Sequence, residues 1–176
     1  IIQEAYTVED EKKGPLLRYL IKTKEMKQVL IFTSSIHQAD IVVKKLNTNK
    51  ISAEAIHSKK SQGARTRALI NFKNGDTKVL VATRVGEEGL DISEVNLVVF
   101  YDNVPSSIRF IQRRGRTGRK DTGKLVVLIA KNTIDETYYW IGKRKITAAK
   151  SMGAKMTRVL EKNQDITEMT GLDAFL

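Results

Sequence analysis

The densest cluster of a single chemistry in the chain is Gln112-Arg113-Arg114-Gly115-Arg116-Thr117-Gly118-Arg119. A guanidinium is a permanently charged planar fork that matches phosphate oxygens. Glycines at 115 and 118, each followed by arginine, let the backbone leave a helix and approach another surface. On a helix, Arg109, Arg113 and Arg116 fall at i, i+4 and i+7 and share a face, while Ile108 and Ile111 can turn to a core. A second string, Ala82-Thr83-Arg84-Val85-Gly86-Glu87-Glu88-Gly89-Leu90-Asp91-Ile92, follows a β-branched run. Thr83 brings a hydroxyl and backbone donors to a strand end, Gly86 and Gly89 shape a loop, and Asp91 can accept hydrogen bonds from sugar hydroxyls. Gly118 to Leu125 spells G-x-x-x-x-G-K but places Leu125 where magnesium needs a hydroxyl. It also follows a helix and opens a strand, the reverse of a phosphate loop's setting. The chain therefore carries no recognisable triphosphate cradle of its own.

Charge points the same way. The 176 residues have a formal net charge of +11, from 31 Lys plus Arg against 20 Asp plus Glu. Residues 109–124 and 143–162 each hold seven cationic side chains and one anionic, which leaves the remainder nearly balanced. Two local basic stretches on a balanced domain suit a polyanionic partner, with a solvated face as the alternative and, for 143–162, an adjacent domain as a third. Cysteine is absent and there are two histidines, which excludes a disulfide scaffold, a thiolate metal site and cysteine nucleophilic catalysis. No apolar run approaches the roughly 20 residues of a membrane span, and no signal pattern opens the chain. The expected location is the cytoplasm, or the nucleus in a eukaryote, with no membrane partner.

The elements that must hold these groups follow from period and punctuation. Apolar runs at 28–33, 52–57, 78–83, 96–101 and 124–130 read as buried parallel strands, and Glu4 to Val8 is strand-like. After Ser35-Ile36-His37-Gln38, a capping-box pattern, Ala39, Val42, Val43 and Leu46 trace one face of a helix. Gln62 to Phe72 places Ala64, Ala68, Leu69 and Phe72 on one face, and Asn74-Gly75 supplies a stop. Further helices are expected from Pro105 to about Gly115 and, behind the capping pattern Thr133 to Glu136, through about Lys150. Alternation of this kind predicts a three-layer α/β/α domain with a mainly parallel sheet over 1–150 and a helical tail over 151–176. His57 reads as a turn residue, His37 as surface, and Tyr138, Tyr139 and Trp140 as packed against the sheet rather than stacked on bases.

In order and spacing, Ala82 to Ile92 and Gln112 to Arg119 resemble motifs V and VI in the second RecA-like domain of superfamily 2 helicases. Val29 to Ser34 resembles motif IV, and Gln62-Gly63-Ala64-Arg65, after the turn at His57-Ser58, resembles the Q-x-x-R element. The resemblance runs from about residue 2 to 150. It implies that two RecA-like domains close on ATP with Mg²⁺, which an N-terminal RecA-like domain binds for the most part. It assigns Arg116 and Arg119 to the γ-phosphate, and Asp91, beside Gly89, to the ribose or the arginines' network. Gln112 and Arg113 would bridge to the first domain's acidic motif. Ser34, Thr83, Arg65 and Gln62 would serve the nucleic-acid backbone. Motifs V and VI are similar to those of Hef-type DNA helicases, while other stretches suit DEAD-box RNA helicases, so single-stranded or duplex RNA or DNA all stay open as partner. On this reading the domain alone is inactive in ATP hydrolysis, and the start at Ile1 suits a piece of a longer protein. The alternative is a free-standing nucleic-acid-binding or annealing module without nucleotide chemistry.

Overall fold

The run Val29-Leu30-Ile31-Phe32-Thr33 is buried at every position, which is what a central strand covered on both faces requires. A computed structural model of the chain describes residues 2–23, 26–83, 95–102, 124–141 and 144. Within these, the strands are β1 (Ile2–Val8), β2 (Val29–Thr33), β3 (Ala53–Ile56), β4 (Val79–Thr83), β5 (Leu97–Phe100) and β6 (Lys124–Ala130). They form one sheet in the order β1-β6-β5-β2-β4-β3, and every pairing is parallel. Helices α1 (Asp10–Thr23), α2 (Ile36–Thr48) and α3 (Gln62–Asn74) cover it, and residues 134–141 are helical. The chain divides into two units, Ile1–Tyr139 and Trp140–Leu176.

Strand alternation sorts the core onto two faces. On one, Val29, Ile31, Val79, Val81, Leu97 and Val99 meet Leu17, Leu20 and Ile21 of α1 and Ala39, Val42 and Leu46 of α2. On the other, Leu30, Phe32, Leu80, Val98 and Phe100 meet Ala68 and Phe72 of α3, with Leu69 and Tyr139 partly buried against them. The expected helix faces are thus the inward ones, with Val43, Ala64 and Leu69 only partly buried. Trp140 is exposed. Ser35 caps α2 by accepting from the Gln38 N–H at 3.2 Å, and Gly75 ends α3 in the left-handed region at φ 85°, where a Cβ would be strained.

Helix α1 carries Pro15 in its interior. The missing N–H costs about 3 kcal/mol, and burial of Leu17, Leu20 and Ile21 at about 1.5–3 kcal/mol each outweighs it. The helix expected from Pro105 to Gly115 and the tail 151–176 lie outside the described residues. Among the described residues no helix is long and apolar enough to cross a membrane.

Edge strand β3 is tied to α3 through Glu54, whose Oε1 accepts from Asn71 Nδ2 at 2.8 Å and Thr77 Oγ1 at 2.6 Å. Burial pushes this carboxyl up, but the two hydrogen bonds and the Lys60 and Arg67 charges outweigh it and leave it below its ordinary 4.5. A carboxyl depressed in the folded state binds fewer protons there than in the unfolded chain. Its contribution is therefore complete above about 4.5 and is lost as pH falls through the depressed value. Thermal unfolding followed from neutral to acid pH is expected to show a falling midpoint in that window, and Glu54→Gln to flatten the fall.

Candidate nucleic-acid interface

Because the strands are all parallel, their carboxyl ends share one edge, in the order Val8, Ala130, Phe100, Thr33, Thr83, Ile56. From β2 the chain builds outward to β3 and β4 on one side, then crosses to β5 and β6 on the other. The gap between the ends of β2 and β5 is therefore the topological switch point, where open α/β sheets place ligands. Ser34 leaves β2 there and Asp102 follows β5. The Ser34 N–H and hydroxyl both donate to Asp102 Oδ2, at 2.9 and 3.0 Å. Thr33 stands opposite Thr83 in the β2–β4 register, and both are buried.

Beyond β4, the end of β3 leads into the turn that starts α3. Lys60 N–H donates to the His57 carbonyl at 3.0 Å, which closes that turn. His57 Nε2 stands 3.3 Å from Asp40 Oδ1, and Nδ1 is buried without a partner among the described residues. With its ring 5% exposed and its carbonyl closing the turn, His57 fits the turn reading. His37, Asp40, His57, Lys59 and Lys60 line, with Ile36, a groove of about 440 Å³. Ser61 caps α3 by accepting from the Ala64 N–H. The cap sets Gln62, exposed, and Arg65, half-buried, in the first turn at i and i+3, hence on one side of the helix.

Four of the sequence-derived site residues are thereby strung along the ends of β2, β4 and β3: Ser34, Thr83, Gln62 and Arg65. Gly89, Asp91, Gln112, Arg113, Arg116 and Arg119 lie outside the described residues. The segments that carry them depart from the carboxyl ends of β4, after Thr83, and of β5, after Asp102. Lys124 opens β6, so the G-x-x-x-x-G-K spelling runs into a strand, the wrong sequel for a phosphate loop. Among the described residues no group of three or more His, Asp or Glu could hold a metal ion.

Beneath the edge lies a charge cluster that sequence patterning does not reveal. Lys13 of α1 is 1% exposed, with its ammonium 2.6 Å from Asp135 Oδ2, 3.6 Å from Asp10 Oδ1 and 3.7 Å from Asp102 Oδ1. It also sits 5.4 Å from the centre of the Tyr101 ring. Burial first, then the Asp10 and Asp102 charges, push the Tyr101 phenol up to about 12. A helix-surface lysine and two aspartates from distant segments give no shared pattern in the sequence. Only the meeting of α1, the end of β5 and the segment after β6 unites them.

The model of the helicase conserved C-terminal domain matches residues 11–121, more than half of the chain. The chain belongs to the helicase C-terminal domain family. This helicase C-terminal domain is similar to the Pyrococcus furiosus Hef helicase domain, at 43% identity and a TM-score of 0.63 over 74% of this chain and 28% of that one. It is similar also to a DEAD-box protein of Methanococcus jannaschii, at 26% identity and a TM-score of 0.73 over 84% and 40%. In sequence it is 39% identical over 135 residues to the ATP-dependent DNA helicase MPH1 of Pyricularia oryzae, covering 70% of this chain and 12% of the relative. The helicase C-terminal domain thus spans well under a third of the Hef chain and about an eighth of the fungal protein. Its six-stranded parallel sheet, helix-covered on both faces, is the RecA-like α/β fold of superfamily 2 helicases of DEAD-box and Hef type.

Proposed function

We propose that this domain works as the second RecA-like half of an ATP-dependent helicase acting on RNA or DNA. It grips the strand backbone at its carboxyl edge and delivers arginines to a nucleotide held by another domain. The reading is carried by the placement of Ser34, Thr83, Gln62 and Arg65 along one edge, continuous with the points from which residues 84–94 and 103–123 depart. The Gln62 amide and the Arg65 guanidinium can donate to phosphate oxygens, while the Ser34 hydroxyl, whose hydrogen goes to Asp102, is left to accept from a sugar hydroxyl; none of these reads base edges, so the grip is indifferent to sequence. Lys59 and Lys60, exposed in the turn before α3, add charge to it.

ATP with Mg²⁺ supplies the driving reaction and is held mainly by the N-terminal RecA-like domain. From this chain, Arg116 and Arg119 stabilise charge on the γ-phosphate. Asp91, beside Gly89, serves the ribose or the arginines, and Gln112 and Arg113 bridge to the opposing domain. A site divided between two domains makes hydrolysis depend on their closure, and closure brings the two strand-gripping edges together or apart.

Two measurements on the 176-residue chain test this. Single-stranded oligonucleotide should bind with an affinity that falls steeply with salt. At about −0.7 in the log–log slope per phosphate neutralised, Lys59, Lys60 and Arg65 alone give about −2. The chain alone should not turn over ATP, and adding an N-terminal RecA-like domain should restore turnover. Salt-independent binding, or robust turnover by the chain alone that Arg116→Ala leaves untouched, would overturn the reading.

A further inference from the structure

Asp102 stands at the switch point with its two oxygens facing different ways. Oδ2 takes both donors of Ser34, while Oδ1 faces the buried ammonium of Lys13. Lys13 is itself fixed by its 2.6 Å contact with Asp135, and Asp135 is buried at the start of the helical residues after β6. A buried ammonium persists only when paired, so α1, the end of β5 and the segment after β6 hold one another through it. Ser34 is exposed and lies in the turn between β2 and α2. Hydrogen bonds to a carboxylate are roughly twice as strong as neutral ones, and two of them on one residue fix both its backbone and its hydroxyl.

We propose that Asp102 is a positioning residue for the strand-gripping edge: buried Lys13 anchors its carboxylate, and the carboxylate holds Ser34 in place beside Thr83. The inference rests on the strand-binding reading above and adds to it how the grip is kept in shape. Its electrostatics are otherwise a puzzle, because a carboxylate on a surface that meets phosphates repels them. Lys13 lies beneath at 3.7 Å but shares its one charge with Asp135 and Asp10, so the cluster stays net anionic and the carboxylate stands at the edge against that repulsion, for the hold it gives on Ser34.

The sign of one substitution separates positioning from simple charge. Asp102→Ala removes a negative charge, which by Coulomb's law alone tightens binding to a polyanion. Positioning demands the reverse, about fivefold weaker binding of a fluorescent oligothymidylate or oligouridylate. The log–log salt slope should not change, since no cationic contact is lost. Asp102→Asn, which keeps an acceptor for Ser34, should retain most of the affinity. In a Ser34→Ala background Asp102→Ala should cost little more, the coupling expected of residues that act through one another. Amide hydrogen exchange reads the clamp without any strand, and in Asp102→Ala it should speed at Ser34 while the amides of α2 stay protected. Unchanged or tighter binding by a folded Asp102→Ala, equal losses in both backgrounds, or an unaltered Ser34 exchange rate would each overturn the proposal. Failure of the parent chain to bind strands at all would instead remove the reading it rests on, and the exchange measurement would still decide the clamp.

Discussion

Alanine at Arg116 or Arg119, in a protein that joins this domain to a nucleotide-binding RecA-like partner, is expected to lower the kcat of ATP hydrolysis by about 10³–10⁵. The reaction leaves little covalent chemistry to the protein. Charge on the γ-oxygens is what a guanidinium stabilises, and an arginine brought by a second domain does so only when the site is closed. On the proposed function the two arginines act on one γ-phosphate, so the double variant should lose little beyond the worse single one. Steady-state phosphate release at saturating ATP and strand measures the effect. Arg65→Ala, at the strand-gripping edge, should act differently. It should raise the strand concentration needed for half-maximal stimulation and leave turnover at saturating strand nearly intact. If Arg116→Ala and Arg119→Ala hydrolysed ATP at the parent rate, the trans-acting role of this chain would be gone.

The second large effect is on stability. Lys13→Met is expected to lower the unfolding free energy by about 3 kcal/mol, the low end of the range for breaking a buried ion pair by removing one partner. The low end applies because the carboxylates left behind retain some solvent, with side-chain exposures of 17% at Asp102 and 12% at Asp135. Removing both charges of the closest pair, by Lys13→Met with Asp135→Leu, should recover part of the loss, since the buried carboxylate that faced the ammonium is then gone as well. Denaturant unfolding at neutral pH decides the matter. A loss below about 1 kcal/mol would mean that the pair behaves as an exposed one.

Much of this domain could be read from its residues, and the exceptions have physical causes. The central strands were legible because a sheet covered on both faces calls for nearly unbroken apolar runs, as Val29 to Phe32 and Leu125 to Ala130 are. Ladder contacts even reach the flanking residues named with them, for the Val29 N–H donates to the Lys78 carbonyl and the Tyr101 N–H to the Phe32 carbonyl. Helix α2 was legible from Ser35 and its apolar stripe. Helix α1 was hidden by Gly14-Pro15, a pair that punctuates most chains, and tertiary burial of Leu17, Leu20 and Ile21 overrides it. At the candidate site, Thr83 could be read from its place at a strand end, whereas Ser34, Gln62 and Arg65 came only from the resemblance to helicase motifs. Asp102 and Lys13 had no such marker. Their meaning comes from neighbours far away in sequence, which local pattern cannot encode.

The outermost ladder joins the first strand to the last, with Ile2 opposite Lys124 and Val8 opposite Ala130. On a ribosome, β1 emerges early and has no partner until β6 has been made, so for most of synthesis it is an unsatisfied template open to wrong pairing. Contacts of such long sequence separation form late and slowly. Assembly of this sheet therefore waits on the synthesis of β6, and a truncation just before Lys124 would leave a chain with its first strand still unclaimed.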